Sequence, residues 1–158
     1  MPRKRRQPSP TGIYHWIVRG MNRKKIFHST PDYECFLSLI REHKSTHEVL
    51  VYHYCLMTNH VHLLLQAPNL ERLAQFSQVL QRRYAYYYCK VYQWQGSVFQ
   101  RGYKSFPIDK ESYLLECARS PEYLALSDDP KTRQELYGDY VSTTRVQEEM
   151  YERGLLTV

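Results

Sequence analysis

No stretch of this sequence approaches the roughly 18 consecutive apolar residues that a membrane-crossing helix needs. The N-terminus also lacks the apolar core of a signal peptide, so the expectation is a soluble, cytoplasmic protein. Cysteine is sparse. Cys35, Cys55, Cys89 and Cys117 are widely separated and no Cys-x-x-Cys occurs. That spacing argues against a zinc site or disulfide framework and for reduced thiols packed in apolar or helical surroundings. There is no internal repeat. Acidic residues are outnumbered, 16 against 22 Lys and Arg, which leaves a net charge of +6. The excess suits a polyanionic partner, and serves solubility equally well.

What is present is enough for one globular domain. The chain has 158 residues, 42% of them hydrophobic, sufficient for a core of its own and too apolar for a disordered chain. Tyrosine is abundant, at 15. Its ring can pack in a core or stack on a nucleobase, and ordinary semi-buried packing accounts for most of these residues.

Residues 1–12 read as a flexible basic arm with Arg3, Lys4, Arg5 and Arg6 among prolines. Such an arm contacts phosphates or merely solubilises. Residues 13–20 are β-branched and aromatic and predict a strand, followed by a basic turn holding Arg23, Lys24 and Lys25. Thr30 as N-cap with Pro31 in the first turn predicts a helix to about residue 46, with Cys35, Phe36, Leu39 and Ile40 on one face. Residues 49–57 form a nearly continuous apolar run, the pattern of a strand buried on both sides. Thr58 and Asn59 make a tight turn into a return strand at 60–66. Asn69 caps a helix to about residue 92, with Leu70, Leu73, Phe76, Val79 and Leu80 on one face. Its second half mixes Arg82 and Arg83 with tyrosines, which fits nucleic-acid stacking or an ordinary amphipathic face. A glycine-marked fourth strand with Arg101 and Lys104 is predicted over 94–106, then a helix from Asp109. The order β-α-β-β-α-β predicts an α+β fold of the ferredoxin-like split type. Its four-stranded antiparallel sheet has helices on one face and carries extra C-terminal helices. The division is an arm at 1–12, a domain at 13–119 and a helical tail at 120–158.

Within the return strand lies His60-Val61-His62. Alternate residues of a strand share a face, so His60 and His62 point the same way with Cα atoms about 6.6–7 Å apart. The pair can converge on one ion. It can also sit on a solvated face or bond to nearby carbonyls. Two polar rings on one face of an otherwise apolar strand call for a reason.

Three segments carry a resemblance. They are Gly20-Met21-Asn22-Arg23, the hairpin Tyr54-Cys55-Leu56-Met57-Thr58-Asn59-His60-Val61-His62-Leu63-Leu64, and Gly96-Ser97-Val98-Phe99-Gln100-Arg101-Gly102-Tyr103-Lys104-Ser105 followed by Tyr113-Leu114-Leu115-Glu116-Cys117-Ala118-Arg119. In this order they resemble the REP-associated tyrosine transposases, members of the single-tyrosine, insertion-sequence-200-like group with a His-hydrophobic-His motif. The resemblance implies a nuclease and strand-transfer enzyme for single-stranded or hairpin DNA, working through a 5′-phosphotyrosine. It implies that His60 and His62 hold a divalent metal, Mg or Mn, and that the protein acts as a monomer or homodimer. Beside the resemblance, the basic residues themselves, Arg3, Arg5, Arg6, Arg23, Lys24, Lys25, Arg82, Arg83, Arg101 and Lys104, are expected to form a DNA-binding phosphate path, though each cluster also fits a solvated face.

The resemblance breaks after Arg119. There the family continues into a Tyr-Ile-x-x-Asn-Pro segment that supplies the nucleophile and a polar third ligand. Here the chain reads Ser120-Pro121-Glu122-Tyr123, with Ser120 at the tyrosine position. Tyr123, just past the break, and Tyr113, on the preceding helix, are the remaining catalytic candidates. A non-catalytic DNA- or RNA-binding module on the same fold is the second expectation. An unrelated ferredoxin-like metalloprotein with a small ligand is the third.

Overall fold

The computed structural model describes residues 5–108. Strand β1 (Ile13–Arg19) leads through a 3₁₀ turn (Met21–Arg23) to helix α1 (Thr30–Lys44). Strands β2 (Leu50–Leu56) and β3 (His60–Gln66) form a hairpin, and helix α2 (Leu70–Tyr92) and strand β4 (Lys104–Ile108) complete the described chain. The sheet order is β2-β3-β1-β4, antiparallel at every pairing. This is the α+β split pattern read from the sequence, with both described helices on one face. The helical tail lies outside the described residues. Among the described residues no helix is long and apolar enough to cross a membrane.

Strand alternation decides which side chains reach the helices. Tyr14, Trp16 and Val18 of β1 join Val61, Leu63 and Leu65 of β3 in one cluster with Phe36, Leu37 and Ile40 of α1 and Leu73, Phe76, Leu80 and Tyr84 of α2. Trp16 is wholly buried and donates its indole N–H to Ser77 Oγ at 2.6 Å. Tyr84 donates to the Ile26 carbonyl at 2.5 Å. Both polar tips are therefore satisfied inside the core, as burial requires.

A bulge in β2 corrects the simple alternation. Val51 pairs with Leu65 and His53 with Leu64, so Tyr52 is the extra residue of the bulge. The extra residue shifts the parity of the strand. It sends His53 and Cys55 to the face opposite the helices, while Tyr54 and Leu56 return to the core face. β2 is also an edge strand, and Leu50 is exposed. The continuous burial expected of β2 belongs to β3, whose five inner residues, Val61 to Leu65, are all buried.

Two boundaries differ from the sequence reading. The N-cap of α1 is Ser29, not Thr30, because Asp32 at the third helical position reaches back to the backbone N–H groups of His28 (2.7 Å) and Ser29 (3.2 Å). The fourth strand spans Lys104–Ile108 alone. Before it, Phe99 makes an isolated bridge to Gly20, and the Gln100 N–H donates to the Arg19 carbonyl at 2.8 Å. Asn69 caps α2 as expected, accepting from the Arg72 N–H at 2.8 Å.

Asp32 does more than cap a helix. It is fully buried and also accepts from Tyr87 (2.8 Å) and Tyr92 (2.5 Å), which ties the start of α1 to the end of α2. Burial first, then the Asp32 carboxylate, raises both phenol pKa values, so each hydroxyl stays a donor. Asp32→Ala leaves four donors without an acceptor and should lower stability by about 2–4 kcal/mol. Asp32→Asn should cost less because it keeps one acceptor oxygen. Urea unfolding checks both, and equal midpoints for Asp32→Ala and the parent would refute this tie.

Candidate metal and nucleic-acid site

The sheet face turned away from the helices carries the candidate chemistry. The pairing register places Ile17 opposite His62 on one side and Lys104 on the other, with Arg19 opposite His60 and His15 opposite Phe106. His60 and His62 are ring neighbours, centroids 4.8 Å apart and planes at 73°. A ligand nitrogen about 2.1 Å from an ion puts its ring centroid roughly 3.2 Å from that ion, so two rings at right angles about it lie roughly 4.6 Å apart. The observed separation fits two imidazoles sharing one cation.

Both rings are held from outside. The Asn59 Oδ1 lies 2.5 Å from His60 Nδ1, and His15 Nε2 lies 2.9 Å from His62 Nδ1. His15 also stacks on His62 at 5.1 Å. Burial lowers the His62 pKa to about 3, with His15, His60 and Arg19 pushing the same way. The ring is therefore neutral near pH 7, as a metal ligand must be. Among the described residues no group of three His, Cys, Asp or Glu side chains is arranged to hold an ion. Two neutral imidazole donors on one face would suit a divalent cation.

Two grooves carry basic residues, and neither takes His60 or His62 into its lining. The smaller, about 180 Å³, opens on the same sheet face and is lined by Ile17, Arg19, Arg101, Lys104 and Phe106 among others. The larger, about 480 Å³, lies between α2 and the 97–103 segment and takes in Arg6, Gln78, Arg82, Phe99 and Arg101. Residues Gln100 to Tyr103 line both, so Arg101 stands on the wall between them.

The sequence-predicted residues therefore sort by place. Arg6, Arg82 and Arg101 share the larger groove; Arg101 and Lys104 share the smaller one. Arg6 stacks its guanidinium 3.9 Å over the Tyr103 ring and donates to the Tyr103 carbonyl at 3.2 Å. Nearby, Ser9 and Thr11 hydroxyls donate to the Ile108 carbonyl. Arg5 and Arg83 are exposed and line neither groove. Arg23 and Lys25 sit exposed at the turn after β1. Lys24 instead tucks its ammonium 3.3 Å over Trp94 and 4.9 Å over Tyr88, and desolvation lowers its pKa. Arg3, Tyr113 and Tyr123 lie outside the described residues.

His15 and Asn59 escaped the sequence reading as site residues. The signal for His15 was the alternation His15, Ile17, Arg19 on β1, but it acquires meaning only once the register places β1 beside β3. Arg19 was legible only as part of the general basic character.

A family model described as "Transposase IS200 like" matches residues 10–117. This chain belongs to the IS200-like transposase family. The matched span includes His60, His62 and Tyr113 and stops short of Tyr123. Among solved structures, the chain resembles a REP-associated tyrosine transposase bound to a REP hairpin. The TM-score is 0.60 at 13% identity, covering 74% of this chain and 68% of that one. It also resembles a putative transposase from Deinococcus radiodurans R1, with a TM-score of 0.52 at 16% identity over 73% and 93% of the two chains. No curated protein sequence matches it. At such identities the structural likeness speaks for the fold, and the family rests on the matched span.

Within this IS200-like fold, Gly20 joins the two turns that flank His60. Its N–H donates to the Asn59 carbonyl at 2.8 Å. A Cβ there would lie 2.3 Å from the Lys24 carbonyl oxygen and 2.9 Å from Ile26 Cγ2. Backbone cannot yield as a side-chain tip can, so Gly20→Ala should destabilise by roughly 1–3 kcal/mol. An unchanged urea midpoint would show that the two turns have slack.

Proposed function

We propose that the chain is a metal-dependent endonuclease and strand-transferase for single-stranded DNA, acting beside hairpin or palindromic repeats. The observation that carries this reading is the His60–His62 pair, at ion-sharing distance on a sheet face bordered by Arg19, Arg101 and Lys104. The family supports a DNA-rearranging role, and the hairpin bound to the REP-associated neighbour supports the substrate class.

In this reading His60 and His62 hold Mg²⁺ or Mn²⁺. When bound, such a cation draws charge from the non-bridging oxygens of the scissile phosphate. Arg19, Arg101 and Lys104 neutralise flanking phosphates, and Phe106 offers a half-exposed ring for a base. A tyrosine hydroxyl, from Tyr113 or Tyr123, attacks phosphorus. Its O–P bond forms as the bond to the 3′ oxygen breaks, the phenol gives up its proton, and the leaving 3′ oxygen takes one. The product is a 5′-phosphotyrosine, which stores the ester for rejoining without a nucleotide cofactor. Ser120 at the family's tyrosine position favours a second reading, a module on the same fold that binds DNA or RNA without cutting it.

The two readings separate on a denaturing gel. The full chain with a labelled hairpin-tailed strand and Mn²⁺ should give a covalent adduct. His60→Ala with His62→Ala should abolish the adduct while hairpin binding persists. Binding without any adduct would favour the non-catalytic module, and normal cleavage by the double variant would sink the metal role.

The grooves have a separate test. Arg82→Ala with Arg101→Ala should flatten the slope of log affinity against log salt by about 1.4 if each guanidinium meets a phosphate of a single strand. Arg83→Ala, outside both grooves, should leave the slope unchanged. The opposite pattern would move the DNA path to the outer face of α2.

A further inference from the structure

We infer that Asn59 and His15 are positioning residues that set the proton location and direction of the two imidazoles, so that His60 and His62 both offer Nε2 to a divalent cation. This rests on the metal-binding reading above and adds residues with no assigned role in it.

The Arg23 carbonyl oxygen can only accept a hydrogen bond, and Asn59 Nδ2 donates to it at 3.2 Å. That contact decides which end of the Asn59 carboxamide faces His60: it is the oxygen, 2.5 Å from His60 Nδ1. A carboxamide oxygen also only accepts. Nδ1 of His60 must therefore carry the proton, and in a neutral imidazole the lone pair is then on Nε2. The hydrogen bond from the Gly20 N–H to the Asn59 carbonyl keeps the amide within reach of Arg23. Asn22 and Arg23 both adopt left-handed φ values, 52° and 60°, and so turn the Arg23 carbonyl toward Asn59. The strained turn after β1 thus has a consequence at the first histidine.

The second histidine is held by a different device. His62 Nδ1 and His15 Nε2 are 2.9 Å apart and share one proton. When His62 ligates through Nε2, its Nδ1–H donates to His15, and His15 keeps its own proton on Nδ1. Stacking at 5.1 Å limits rotation of the His62 ring. Outer partners of this kind are the usual means by which a protein aims metal-bound imidazoles.

The test needs no catalysis. In the metal-free full chain, long-range proton–nitrogen NMR correlations should show His60 protonated on Nδ1. An Nε2-protonated His60 would overturn the inference outright. Mn²⁺ titrations followed by the EPR signal of the free ion should show Asn59→Ala and His15→Phe binding roughly 10–100-fold more weakly than the parent. His15→Gln, whose carbonyl still accepts, should recover most of that loss, which a merely structural role for His15 would not predict. Parent-like Mn²⁺ affinity in Asn59→Ala and His15→Phe, together with loss of binding in His60→Ala with His62→Ala, would refute the positioning role and leave the metal reading standing. A parent no better than that double variant would refute the metal reading and this inference with it.

Discussion

A one-residue slip of β3 would carry Val61, Leu63 and Leu65 out of the core and drive His60 and His62 into it. Burying each of those apolar side chains contributes about 1.5–3 kcal/mol. A slip would forfeit several kcal/mol, a large share of the 5–15 kcal/mol that typically separates a folded domain from its unfolded chain. The helices on one side of the sheet therefore determine what stands on the other. Trp16, Phe76 and Leu80 share one buried cluster with Leu63, and burial of that cluster fixes the parity of the histidines. β3 lies between β2 and β1, so the pair sits on a strand braced from both edges rather than on a loop.

Much of this architecture was legible because it depends on short-range pattern. Period-two alternation in 60–66 and the turn at Thr58 and Asn59 fixed the hairpin. Asn69 marked the start of α2, and the strand–helix order gave the fold class. The misread features depend on what lies across a gap in sequence. Thr30 looked like a cap until Asp32 was seen bonding back to His28 and Ser29. The 94–106 segment has strand composition, but its first part finds only a single bridge to Gly20, at Phe99, and the ladder forms from Lys104 onward. The bulge at Tyr52 leaves no mark in composition, yet it decides that His53 and Cys55 lie on the histidine face. His15 becomes a neighbour of His62 only through the β1–β3 register.

The basic residues show how composition can mislead in the other direction. A run of cations reads as one surface, but these separate into distinct environments, with Arg5, Arg23, Lys25 and Arg83 exposed outside both grooves. Arg6, Arg82 and Arg101 gather around one groove, Arg101 and Lys104 around another, and Lys24 turns away from solvent onto Trp94. An ammonium over an indole gains from the ring's quadrupole and gives up hydration to do so, and its lowered pKa reflects that exchange. Lys24 is better understood as a strut between the turn after β1 and the end of α2 than as a phosphate contact. Arg6, with its guanidinium stacked on Tyr103, keeps a fixed position at the groove wall that an unattached arm would not give it.

Arg19, Arg101 and Lys104 impose an electrostatic order on the proposed site. Burial holds His62 in its neutral form, and the fields of His15, His60 and Arg19 push the same way, which preserves a lone pair for coordination. A positive field also repels a divalent cation. At an effective dielectric constant near 20 two unit charges 4 Å apart interact by about 4 kcal/mol, so a cation as near the histidine pair as that would oppose metal entry appreciably. A DNA phosphate reverses the balance: it is drawn to Arg19, Arg101 and Lys104, and its negative charge then offsets the repulsion felt by the ion. In the proposed site, binding of one partner would favour binding of the other, and linkage would make the effect mutual. In the proposed reading, two neutral imidazoles suffice on the protein's side because the missing negative charge would arrive with the DNA strand.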